Sequence, residues 1–139
     1  MTARYVLPAS LSMQYGALDA EHQNIVDILN ATALLLESEG DIGPASTQLL
    51  LTDFREALKA HFSHEEQEMA RLGYPELAKH KLGHALCIIR LDAMFQAVTG
   101  DQSEISMTLL DEIFGVLVSD ILGPDLGFKS FLYEKNLLR

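Results

Sequence analysis

Cysteine is almost missing from this sequence. Cys87 stands alone, which rules out an internal disulfide and suits a reducing cytoplasm. Long apolar runs are missing too: the longest, near Ala31 to Leu36, falls well short of the ~20 residues that a membrane span requires. The opening stretch, Met1 to Ser12, has one Arg but no basic start, extended apolar segment or clear cleavage site, so no signal peptide is expected. Positive charge is scarce, with 10 Lys and Arg against 20 Asp and Glu, a formal net charge of −10. Nucleic-acid phosphates and an anionic membrane face would both be repelled, so neither is expected as a partner. Repeats, low-complexity tracts and interdomain linkers are absent, and no alternation at period two lasts long enough to make a sheet.

What remains is a chain of 139 residues, 48% hydrophobic and 22% charged, which suits one globular domain over 1–139 with a real core. Pro8 and Gly16 interrupt residues 1–17, which read as an irregular lead-in to a bundle over about 18–133. Asp19 is placed to cap a first helix through Glu37, with Ile25, Ile28, Leu29, Leu35 and Leu36 as its apolar face. After the break at Gly40 to Pro44, Ser46 or Thr47 starts a second helix through Leu50, Phe54, Leu58, Phe62 and Met69 to a stop at Gly73. Pro75 suits the first turn of a third, reaching about Val98, with Leu77, Leu82, Leu86, Ile89 and Phe95 as its stripe. A fourth starts near Ser103, turns Leu109, Ile113, Leu117 and Ile121 inward and meets Gly123-Pro124, and the tail adds one short helix. The expected fold is therefore all-α, an up-down-up-down antiparallel four-helix bundle.

The histidines carry the functional signal. His61 and Glu65 are four apart on the second helix, His80 and His84 four apart on the third, and His22 lies one turn into the first. Residues four apart share a face, so each pair can converge on one ion, and a bundle core is where facing helices build such sites. Imidazole with carboxylate suits iron or zinc, and a carboxylate can bridge two ions. Taken singly, such pairs are more often solvated or merely hydrogen-bonded. Two pairs on adjacent helices, each embedded in an apolar stripe and together with His22 using four of five histidines, argue for metal. The fifth, His64, falls on the flank of the site face, as a surface or supporting residue. Cys87 and the methionines Met13, Met69, Met94 and Met107 read as packing.

LDAEHQNI around His22, HFSHEEQEM from His61, GYPELAKHKLGH ending at His84, and the later Asp125 together resemble the hemerythrins, nearest to bacterial hemerythrin-like domains, over roughly residues 13 to 128. The resemblance implies a four-helix bundle holding two iron ions in an oxo- or hydroxo-bridged diiron centre that binds dioxygen reversibly. It implies that His22 and His61 bind one iron, His80 and His84 the other, and that Glu65 and Asp125 bridge the two. The His22/His61 iron is then the one that keeps an open position for dioxygen, and Leu117, Val118 and Ile121 are candidates for a dry wall beside it.

One departure stands out. Where the family carries a third histidine for the second iron, five residues before the bridging aspartate, this chain has Asp120, and Val116 replaces a tryptophan one turn earlier. A carboxylate there adds negative charge, favours ferric over ferrous iron and admits harder ions such as manganese. As a surface acid Asp120 would have no role, yet near a helix C-terminus an unpaired carboxylate costs about 0.3–1 kcal/mol, which tilts the reading toward a bound cation. Asp125 is either the cap of the tail helix or a ligand that a proline kink swings toward the metals. The functions in play are dioxygen or nitric oxide binding for storage, transport or sensing, a diiron oxidase or peroxidase, and a bundle with an altered metal site serving as an interaction module. Sensing would need a separate protein partner, whose identity the sequence leaves open.

Overall fold

The computed structural model of the chain describes residues 3–39, 43–100 and 106–137. Its helices are α1 (Gly16–Glu39), α2 (Gly43–Leu72), α3 (Leu77–Gly100), α4 (Met107–Asp120) and α5 (Leu126–Glu134). A 3-10 turn covers Ala9–Leu11, and a π-helical turn, Ile121–Asp125, joins α4 to α5. Packing runs α1 on α2, α2 on α3 and α3 on α4, and α4 closes back on α1. This is the all-α antiparallel four-helix bundle expected from the spacing of breakers. Among the described residues no helix is long and apolar enough to cross a membrane.

Local chemistry moves several boundaries. Asp19 is not the cap of α1 but sits in its first turn, where its carboxylate accepts from the Met13 backbone N–H at 2.7 Å and the Ser12 hydroxyl at 2.8 Å. α2 begins at Gly43 rather than at Ser46 or Thr47, and α3 at Leu77, two residues after Pro75. Gly73 ends α2 in the left-handed region, φ 72°, and the Tyr74 N–H returns to the Met69 carbonyl at 2.9 Å, the bond that closes a glycine-terminated helix. Ser103 lies outside the described residues; Ser106 caps α4, accepting from the Leu109 N–H at 3.1 Å.

The lead-in is part of the bundle. Tyr5, Leu11, Met13 and Tyr15 are buried. Asn30 on α1 holds Tyr5 at both backbone groups, accepting its N–H and donating to its carbonyl, each at 2.8 Å. The Tyr5 hydroxyl and Arg4 both reach Asp111 on α4.

The apolar core forms two clusters. Ile25, Leu29, Leu58, Leu91, Leu110 and Ile113 belong to the larger; Met13, Leu18, Met69, Phe128 and Leu132 form the smaller. Three of the polar candidates fall between the two: Leu18 and Ile25 bracket His22, Phe62 and Met69 bracket Glu65, and Ile121 and Phe128 bracket Asp125. Burying a band of imidazoles and carboxylates costs free energy unless they are paired or coordinate a cation, so the clusters must supply the excess stability.

On α3 the assigned stripe is wrong in part. Leu82, Leu86 and Ile89 are exposed, whereas His80, His84, Cys87, Leu91 and Phe95 face inward. The polar histidines occupy the core face, so hydrophobic periodicity pointed to the opposite side of the helix. Leu35 on α1 is likewise exposed and Ile28 only half-buried.

Candidate metal centre

Each helix delivers its donors one turn apart. α1 gives His22, α2 gives His61 and Glu65, α3 gives His80 and His84, and the π turn gives Asp125, all buried. Asp120 and Asp125 are five residues apart, out of step for an α-helix. The π turn resolves this, since its Leu126 N–H bonds back to the Ile121 carbonyl, an i→i+5 link that widens the turn and brings Asp125 inward. So Pro124 is absorbed within a continuous helical run instead of ending α4, and Asp125 makes no side-chain cap bond to α5.

Two overlapping groups of donors result. Ligand atoms from His22, His61, Glu65 and Asp125 all lie within 4.8 Å of one another, and so do those from Glu65, His80, His84 and Asp125. Glu65 and Asp125 belong to both. Asp120 belongs to neither group, although it is buried and its Oδ2 has no hydrogen-bond partner.

The two halves differ in how their atoms are engaged. Glu65 Oε1 accepts from His80 Nε2 at 2.6 Å and His84 Nε2 at 3.1 Å. In the other half His22 Nε2 lies 3.2 Å from Asp125 and His61 Nε2 lies 3.4 Å from Glu65, both without hydrogen-bond alignment. His22 Nε2, His61 Nε2, Glu65 Oε2 and both Asp125 oxygens are thus buried and unpartnered, a high cost for atoms that nothing else satisfies. Cations between the pairs would satisfy all of them, and the donor set, neutral imidazoles with shared carboxylates, fits iron.

Electrostatics follow the same division. Burial opposes charge on His80, but the carboxylates of Asp125, 3.1 Å away, and Glu65 outweigh it and push its pKa up to about 10. Burial also opposes charge on His22 and His84, and both are nonetheless raised, by Asp125 and by Glu65 with Glu66 respectively. For His61 burial wins and the pKa falls. Burial would raise Glu65, yet hydrogen bonds from His80 and His84 hold it far below the carboxylate range. Asp120 is pushed well up, first by burial and then by the charges of Asp125 and Glu65.

A surrounding layer of contacts, which the sequence did not reveal, fixes the rings. Glu21 accepts from His61 Nδ1 at 2.8 Å and also binds His64, placing that histidine in a supporting role at the half-buried edge. Glu66 accepts from His84 Nδ1 at 2.7 Å. These bonds direct the Nε2 atoms inward and make the imidazoles better donors. Phe62 stacks on the His84 ring at 3.8 Å between centroids. Glu21 and Glu66 sit beside His22 and Glu65 in sequence, but each serves a histidine on another helix, so no local spacing marks them. Cys87 is a buried free thiol, pushed up to about 12 by burial, and Leu117 and Ile121 are core residues, with Val118 packed against them.

A buried belt of histidines and carboxylates across an antiparallel bundle defines a helical cation-binding protein. The chain belongs to the hemerythrin family: the family model of the hemerythrin HHE cation binding domain matches residues 13–129. The bacteriohemerythrin of Clostridium acetobutylicum is 27% identical over 110 residues, covering 78% of this chain and 85% of that relative. The bacteriohemerythrin of Campylobacter jejuni is 26% identical over 82 residues, 59% of this chain and 60% of its own length. No solved structure matches the chain.

Proposed function

We propose that residues 1–139 form one hemerythrin-like domain that holds two irons and binds dioxygen, or a related diatomic such as nitric oxide, for storage, transport or sensing in the cytoplasm. The carrying observation is the pair of overlapping donor groups that share Glu65 and Asp125. In this reading His22 and His61 would hold one iron, His80 and His84 the other, and Glu65 and Asp125, common to both groups, would serve both. Bound iron would supply the redox chemistry that capture of dioxygen needs. The chain's own part is to aim four Nε2 atoms at the centre, to keep water out with Leu117, Ile121 and the stacked Phe62, and, on metal binding, to release to solvent the Nε2 protons by which His80 and His84 bond to Glu65. Asp120, coupled through its charge to His84 and His80, would add negative charge on that side of the centre and so favour ferric over ferrous iron there.

A diiron oxidase or peroxidase is the second reading, favoured by that extra buried carboxylate. Anaerobic reduction of the iron-loaded protein followed by air separates the two. A visible absorption band that persists and vanishes on removing oxygen supports the carrier. Immediate return to the oxidised spectrum with peroxide in solution supports the enzyme.

A further inference from the structure

α3 is apolar on two faces. One turns into the bundle with His80, His84, Cys87 and Leu91. On the opposite face Leu82, Leu86 and Ile89 are 61%, 55% and 63% exposed, and Ala85 between them and Ala78 and Ala93 on either side are exposed as well. Steps of four and three residues put these leucines and Ile89 in one stripe along the helix. A helix that is apolar all round is normally covered on all sides. The stripe borders a groove of about 650 Å³ whose walls include Tyr74, Gly83, Gly123, Pro124 and Gly127 and whose lining reaches His80. Glycine holds part of it open, since a Cβ at Gly83 or Gly123 would meet nothing within 4 Å.

Charge says what suits this face. In a chain of net −10, Lys79 and Arg90 edge the stripe on one side and Lys81 on the other. Among the described residues these three form no salt bridge, like Lys59, Lys129 and Lys135 elsewhere, whereas Arg4, Arg55 and Arg71 are paired with Asp111, Asp92 and Glu68. Glu76 is the one acid in the groove lining. We infer that the outer face of α3 docks an amphipathic helix of a partner protein, one whose apolar stripe is flanked by Asp and Glu. A second copy of this chain fits poorly, because two-fold pairing of the stripes sets Lys79 of one copy near Arg90 of the other.

The test uses the full, metal-loaded chain and a fluorescent synthetic helix with leucines at heptad spacing flanked by Glu, beside the same helix with Lys for Glu. The acidic helix should bind at least about tenfold more tightly, with the advantage shrinking at high salt. Leu86→Glu should cost about tenfold or more with unchanged helicity and metal content. Lys79→Glu with Arg90→Glu, both exposed, should reverse the preference toward the basic helix. Equal binding of the two helices, or binding of neither, overturns the inference. So does a concentration-dependent dimer that Leu86→Glu abolishes, or adsorption to phosphatidylglycerol vesicles that the same substitution abolishes.

Discussion

Replacing Glu21 by Gln should weaken one bound cation and leave the other nearly untouched. Glu21 takes the Nδ1 proton of His61 at 2.8 Å, fixing the tautomer whose Nε2 lone pair faces the centre. Gln keeps the size and one acceptor but loses the charge that strengthens the imidazole as a donor. Loss of such an outer partner costs about 10–100-fold in metal affinity, or about 1.4–2.7 kcal/mol. The Glu21 side chain is 32% exposed, so solvent screens part of its charge. The lower figure, about tenfold, is therefore the expectation. Glu66→Gln should act equally through His84 Nδ1, 2.7 Å away, but on the other cation. The assay is an anaerobic titration of metal-free protein against a competing chelator, read as a two-step isotherm. Glu21→Gln should displace one step, Glu66→Gln the other, and the double variant both, with exposed Glu56→Gln as the control. If both substitutions displace the same step, or neither moves a step by more than about threefold, the division into one histidine pair per cation is wrong.

Three further outcomes follow from the same geometry. The raised pKa of His80, about 10, stabilises the metal-free fold fully below its unfolded value near 6.5, and this is lost as pH climbs toward 10; the depressed Glu65 contributes above about 4.5 and is lost on acidification. The urea midpoint of metal-free protein should therefore peak between about pH 5 and 6.5, and a plateau from 6.5 to 10 refutes the pairing. Asp120→Asn should raise metal-free stability at pH 8 by about 1 kcal/mol or more and leave it nearly unchanged at about pH 3, because a raised carboxylate is destabilising only above its unfolded pKa, near 3.8; an equal gain at both pH values contradicts this. Asn30→Ala leaves both backbone groups of Tyr5 without their partner and should cost about 1–3 kcal/mol in chemical denaturation, and a loss no larger than that of an exposed Asn24→Ala control would show that the lead-in is not pinned there.

The bundle was legible in the sequence because glycine and proline cut it into helix-length pieces and α1, α2 and α4 each carry one apolar stripe. α3 was legible as a helix but not in its orientation. Its histidines take core positions, and Leu82, Leu86 and Ile89 then read as core when they face outward. The pairs His61/Glu65 and His80/His84 were legible because four-residue spacing shares a helix face. The placement of Asp125 was not, since an i,i+5 relation with Asp120 depends on a π turn that no residue type announces. Glu21 and Glu66 were invisible for another reason: each bonds across a helix interface, and only the packed bundle brings donor and acceptor together.

The most direct test of the proposed two-iron centre is metal content measured per chain, on protein isolated from iron-replete cells, for the natural sequence and for Glu65→Ala. Glu65 is shared by both donor groups, so about two irons per chain should fall to one or none on its removal. A single ion per chain in the natural protein, or two ions that survive the loss of Glu65, would contradict the account.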